Sequence, residues 1–125
     1  MTDYTKKRLF SNRNSSSNNP LIYKALLTQI GAADPTPTVY SNTLGTITLT
    51  RQNTGIFRIN GVGLLDQTKR FVFFGILKFV DSVNGVIVES DLGSSDDYIE
   101  LYTYDEGGLL ADGFSNLPVL IEVYP

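Results

Sequence analysis

The chain predicts an all-β protein: an antiparallel β-sandwich, jelly-roll-like, of about seven to eight strands, preceded by an extended N-terminal arm. Three observations predict it. Several short segments alternate apolar and polar residues with a period of two. Turn signals built from Gly, Asn, Asp and Pro separate them, at intervals of about 8–15 residues. No segment of ten or more residues holds a helical period. At 125 residues, 42% hydrophobic and 18% charged, the chain is long enough for one core and apolar enough to be globular. We divide it into an arm, residues 1–20, and a single sandwich domain, residues 21–125.

Leu21–Gln29 (LIYKALLTQ) is the first strand, and the "GAADPTPT" that follows is a Pro-punctuated loop. Thr46–Gln52 (TITLTRQ) alternates strictly, with Ile47 and Leu49 on one face and Thr46, Thr48 and Thr50 on the other. "NTG" turns the chain into Ile56–Asn60, where Phe57 and Ile59 face inward. Arg70–Val80 (RFVFFGILKFV) is apolar on both faces, with Lys78 its only interior charge. Such a strand lies between two layers or under a second subunit. "DSVNG" is an Asn-Gly hairpin turn returning as Val86–Glu89. Tyr98–Tyr104 (YIELYTY) alternates again, and Val119–Tyr124 (VLIEVY) is the last strand. Strand order is open at this level, because Greek-key and jelly-roll arrangements share these local signals.

Composition excludes several chemistries. The chain has no cysteine and no histidine, which removes disulfides, thiolate sites, most zinc sites and the Ser–His and Cys–His nucleophile pairs. The longest apolar stretch, Phe71–Val80, is too short to span a bilayer, and the N-terminus does not resemble a signal peptide. Charge is uneven. Residues 1–20 carry Lys6, Lys7, Arg8 and Arg13 against Asp3, a net of +3, while residues 21–125 carry six basic and twelve acidic side chains, a net of −6. An acidic body repels phosphate, so nucleic acid is not an expected partner, and neither is a membrane.

No constellation points to catalysis, and no cofactor is expected. Thirteen acids make a close carboxylate pair inevitable, and "GVG" at Gly61–Gly63 lacks the helix and Lys-Ser/Thr pair of a phosphate loop. Asp91, Asp96 and Asp97 are a weak candidate calcium set, because acidic turns between strands are common without any ion. The tyrosine stripe is richer. Tyr98, Glu100, Tyr102 and Tyr104 share one face of their strand, and Ile99, Leu101 and Thr103 the other. The tyrosine face suits a subunit interface, a plain sheet surface or a glycan platform. With Phe71, Phe73 and Phe74, residues Tyr98, Tyr102 and Tyr104 are the candidate interface.

The arm is too polar to pack a core by itself. The plain reading is a mobile tail. The sharper one is an assembly arm lying on an acidic surface of an adjacent copy or of another particle protein, docked through Lys6, Lys7, Arg8 and Phe10, with Leu9 beside them.

The segment "YKALLTQIGAADPTPTVYSNTLGTITLTRQNTGIFRI" and the closing Ile121, Glu122, Val123 and Tyr124 resemble small all-β proteins encoded by tailed bacteriophages. The likeness covers residues 22–59 and the final strand. Its motifs are structural and transfer no active site. It implies viral origin and a place in the virion. Strands apolar on both faces add the expectation of a structural protein of capsid, tail or fibre that forms homo-oligomers and contacts other virion proteins. The alternative is a carbohydrate-binding module of a fibre tip or cell-surface adhesin, with Tyr98, Glu100 and Tyr102 as an exposed shelf.

Overall fold

The computed structural model describes residues 18–75, 88–89 and 95–125, the pair 88–89 by backbone alone. The docking residues of the arm (Lys6, Lys7, Arg8 and Phe10), the 81–85 hairpin turn, Lys78 and Asp91 lie outside the described residues. Among those described there are eight strands and no helix: β1 (Leu21–Gln29), β2 (Thr36–Asn42), β3 (Thr48–Asn53), β4 (Ile56–Asn60), β5 (Arg70–Phe74), β6 (Val88–Glu89), β7 (Tyr98–Tyr102) and β8 (Phe114–Val123). They form two four-stranded antiparallel sheets in the orders β2-β1-β8-β5 and β3-β4-β7-β6. The sheets pack against each other as a β-sandwich. First and last strands pair at the centre of one sheet, from Leu21 opposite Val123 to Gln29 opposite Phe114.

The period of two builds the core. Tyr23, Ala25 and Leu27 of β1 point inward with Leu117, Val119 and Ile121 of β8. From the facing sheet come Leu49, Phe57, Ile59, Ile99 and Leu101, as the alternation of their strands requires. Phe57 and Phe114 meet edge to face across the layers, ring centroids 5.5 Å apart and planes at 85°. Thr103 is buried as expected, and its hydroxyl donates to the Ala111 carbonyl.

Several strands differ in extent from the sequence reading: β3 starts at Thr48 rather than Thr46, β5 ends at Phe74, with 76–80 of the expected Arg70–Val80 strand outside the described residues, and β7 ends at Tyr102 rather than Tyr104. Two larger departures have physical causes. Thr36–Asn42 is a strand, although Pro35 and Pro37 marked its start as loop. It is a sheet edge, where a missing N–H breaks no ladder, and a bulge at Lys24/Ala25 leaves Tyr40 as its extra residue. The last strand starts at Phe114 rather than Val119, passing through Asn116 (φ 51°), whose N–H donates to Thr28 Oγ1. It also carries Pro118 in a central strand, a position normally closed to proline. The Pro118 carbonyl accepts the Gly75 N–H at 2.9 Å. A residue's N–H and C=O point to the same side of a strand. The missing donor therefore faces the edge where β5 has ended, and the β1 ladder loses nothing. A Cβ at Gly75 would lie 2.6 Å from the Pro118 ring, which is why glycine ends this strand.

The ends of the sandwich are tied by side chains. Gly55 (φ 68°) turns β3 into β4 so tightly that a Cβ would sit 2.7 Å from Ala111 N and Thr103 O. Its N–H donates to Asp112 Oδ1, whose carboxylate also accepts Arg51 Nε and Nη2. Burial pushes the Asp112 carboxyl up, but the Arg51 hydrogen bonds, the Gly55 amide and the Arg51 charge outweigh it and hold it below the ordinary carboxylate range.

Burial pushes the Tyr23 hydroxyl above its usual value near 10. The unfolded chain therefore releases this proton before the folded chain does. The stability it supplies is complete below the unfolded value and is lost as pH rises through the folded one. Tyr23→Phe removes that dependence. Urea midpoints at pH 8 and pH 11 are expected to fall less for the variant than for the parent chain, and equal falls would contradict the assignment.

Candidate docking surface

With alternate side chains inside, the other half of each strand builds two outer faces, and these differ in chemistry. On the β2-β1-β8-β5 sheet, register sets the rows. Ile22, Glu122 and Phe71 align in one, Lys24, Leu120 and Phe73 in the next, and Leu26 and Pro118 in the third. Phe71 and Phe73 are 54% and 52% exposed, and Tyr40, on the neighbouring edge strand, is 67% exposed. Phe71 leans edge to face on Tyr124, ring centroids 5.6 Å apart. Between the Phe73 and Tyr40 walls runs an open groove of about 400 Å³, with Lys24, Leu26, Pro118 and Leu120 also lining it. Open to solvent, it holds waters against largely apolar walls. An apolar occupant would release them.

On the outer face of β3, β4 and β7, among the described residues, polar groups pair with one another. Arg58 lies opposite Glu100 in register and donates from Nε to Oε2 at 3.0 Å. Its guanidinium carbon stands 4.0 Å from the Tyr98 ring centroid, a cation–π contact. The Tyr102 hydroxyl donates to Glu100 Oε1 at 3.2 Å. Asn60 Nδ2 donates to Thr50 Oγ1 and the Thr48 carbonyl.

The expected interface residues therefore divide. Phe71 and Phe73 share the exposed face of β5, whereas Phe74, one residue on, packs against the core and only edges the groove. Tyr98 and Tyr102 lie on the opposite face of the sandwich from Phe71 and Phe73. Tyr104 falls beyond β7, in an isolated bridge with Leu110. Glu100 is not part of an exposed shelf. It is 7% exposed, with both oxygens engaged.

Asp96 and Asp97 staple two loops. Asp96 Oδ1 accepts the Gln67 N–H and Asp97 Oδ1 the Gly63 N–H. Among the described residues, no three His, Cys, Asp or Glu side chains are grouped to hold a metal ion.

Sequence reasoning missed Tyr40, Leu26, Pro118 and Leu120. The signal for Leu26 was present: β1, like Arg70–Val80, is apolar on both faces, with Ile22 and Leu26 on the side away from Tyr23 and Leu27. Pro118 and Leu120 join it only through the pairing of strands almost a hundred residues apart.

The β2 edge of this sheet is irregular. Pro37 and the Tyr40 bulge break the regular run of donors on β2, a common device against strand addition. The outward face of β1, β8 and β5 carries the exposed rings of Phe71 and Phe73. A scan against family models matches none for this chain, and neither the curated proteins nor the solved structures yield a match, so the docking face rests on its own geometry.

Proposed function

We propose that this chain is a structural subunit of a virus particle, a capsid-decoration, tail or fibre component, that works by packing against other copies and has no catalytic role. The virion setting follows from the resemblance to phage-encoded proteins noted in the sequence. The observation that carries the assembly role is the pair of half-exposed phenyl rings, Phe71 and Phe73, beside an apolar groove on the outer face of the β2-β1-β8-β5 sheet. Contiguous apolar surface of this kind marks protein contacts rather than an ordinary solvated face. The glycan reading is weaker, because the Glu100 carboxylate it needs is already held by Arg58 and Tyr102.

Replacing both rings, Phe71→Ser with Phe73→Ser, tests it. Completing the burial of two half-exposed phenyl rings is worth about 2–3 kcal/mol in association, roughly 30- to 150-fold in affinity. Light scattering of the parent chain is expected to give a multiple of its 13.8 kDa, and the double variant to give the single-chain mass at the same concentration. Thermal unfolding is expected to stay cooperative. A parent chain that scatters as 13.8 kDa at every concentration overturns the proposal.

A further inference from the structure

We infer that the groove between Phe73 and Tyr40 takes the Leu9–Phe10 pair from the N-terminal arm of a neighbouring copy. The inference rests on the docking role proposed above and names what fills the groove.

Three features carry it. The first is fit of chemistry. Apart from Lys24 the groove walls are aromatic and aliphatic, and Leu9–Phe10 is the one adjacent pair of large apolar residues between Thr5 and Pro20. The second is charge. Lys6, Lys7 and Arg8 directly precede that pair, and Glu122 stands on the same sheet face, one outward position beyond Leu120 of the groove. Successive outward residues on a strand are about 7 Å apart, the same as the separation of Arg8 from Phe10 in an extended arm. The arm is also cationic overall, against a body of net −6.

The third is reach and direction. Lys24 and Leu26 of the groove lie three to five residues along β1 from Leu21, about 10–17 Å. Phe10 is eleven residues before Leu21, so an extended arm carries it up to ~36 Å away. Length alone thus permits its own groove or a neighbour's. Direction favours the neighbour. Asn19 precedes Pro20, which biases it to extended backbone, and no turn occurs at residues 18–20. Residues 18–20 therefore run on from β1 along the strand axis, away from its own groove.

A chain without cysteine makes the test clean. Ser11→Cys places a thiol beside the anchor without replacing it. Thr38→Cys places one on exposed β2, opposite Leu26 of the groove. The control pairs Ser11→Cys with Thr48→Cys, exposed on the other sheet. Mild oxidation of the full-length chain at its assembly concentration is expected to give at least tenfold more covalent multimers from Ser11/Thr38 than from the control. Adding Phe10→Asp is expected to abolish the excess. A disulfide formed within single chains overturns the neighbour assignment. No excess over the control overturns arm docking altogether. If Phe71→Ser with Phe73→Ser still dissociates the assembly in that case, the docking face stands and only its occupant is wrong. If that variant also leaves the mass unchanged, both fail.

Discussion

Phe57→Ala is expected to lower the unfolding free energy by about 3–5 kcal/mol, a large share of the 5–15 kcal/mol that holds an ordinary domain together. Phe57 is fully buried on β4, and its ring meets Phe114 of β8 edge to face. The two side chains come from different sheets, so the pair is a direct contact between the layers. Truncation removes the transfer free energy of the ring and leaves a cavity that the sheets cannot close without shifting. Urea unfolding measures the effect as a lower midpoint at unchanged slope. The same truncation at Phe71, whose ring is half exposed, is expected to cost under ~1 kcal/mol in the isolated chain. A loss below ~1 kcal/mol at Phe57 as well would mean that the layers do not rest on this contact.

The strands that the sequence announced clearly are those with one wet face and one dry face. Ile56–Asn60 falls where alternation placed it, Thr48–Asn53 starts two residues late and Tyr98–Tyr102 ends two residues early, and Phe57, Ile59, Ile99 and Leu101 point inward as expected. The strands it hid are those where proline overrode the pattern. Thr36–Asn42 has an exposed or half-exposed side chain at every position, so it carries no alternation at all, and only its pairing with β1 defines it. The first half of β8 was masked by Pro118, which is tolerated because its missing donor points past the end of β5. That compensation involves Gly75, forty-three residues earlier, and no local window contains both.

The candidate site was legible to the same degree. Phe71 and Phe73 were visible as surplus apolar side chains on a strand greasy on both faces. The side to which each ring turned followed only from the pairing Phe73–Leu120. The tyrosine stripe failed for a related reason. Period fixes which residues share a face but not what stands beside them, and Arg58 reaches Glu100 and Tyr98 only because β4 lies next to β7.

Gln29→Leu is the second large effect, expected to cost about 2–4 kcal/mol although it replaces a polar side chain by an apolar one in a buried place. Gln29 is 2% exposed at the end of β1. Its Nε2 donates to the carbonyls of Gly31 and Ala33 at 2.8 and 2.9 Å, and its Oε1 accepts the Gly113 N–H at 2.6 Å. One amide thus ties the β1–β2 loop to the start of β8. Leucine fills similar space but leaves three part-buried backbone groups without this partner, each costing about 1–3 kcal/mol where water does not reach it. Gln29→Glu separates packing from hydrogen bonding. A carboxylate there faces two carbonyl oxygens, which disfavours the charged form and raises its folded-state pKa above the unfolded value near 4.3. The sign follows: its stability is highest below pH ~4 and is lost as pH rises through the folded value. Relative to the parent chain, Gln29→Glu is therefore expected to be more destabilised at pH 7 than at pH 4, while the Gln29→Leu deficit stays the same at both. Equal deficits for Gln29→Glu at the two pH values would mean that water, rather than this side chain, satisfies the loop carbonyls.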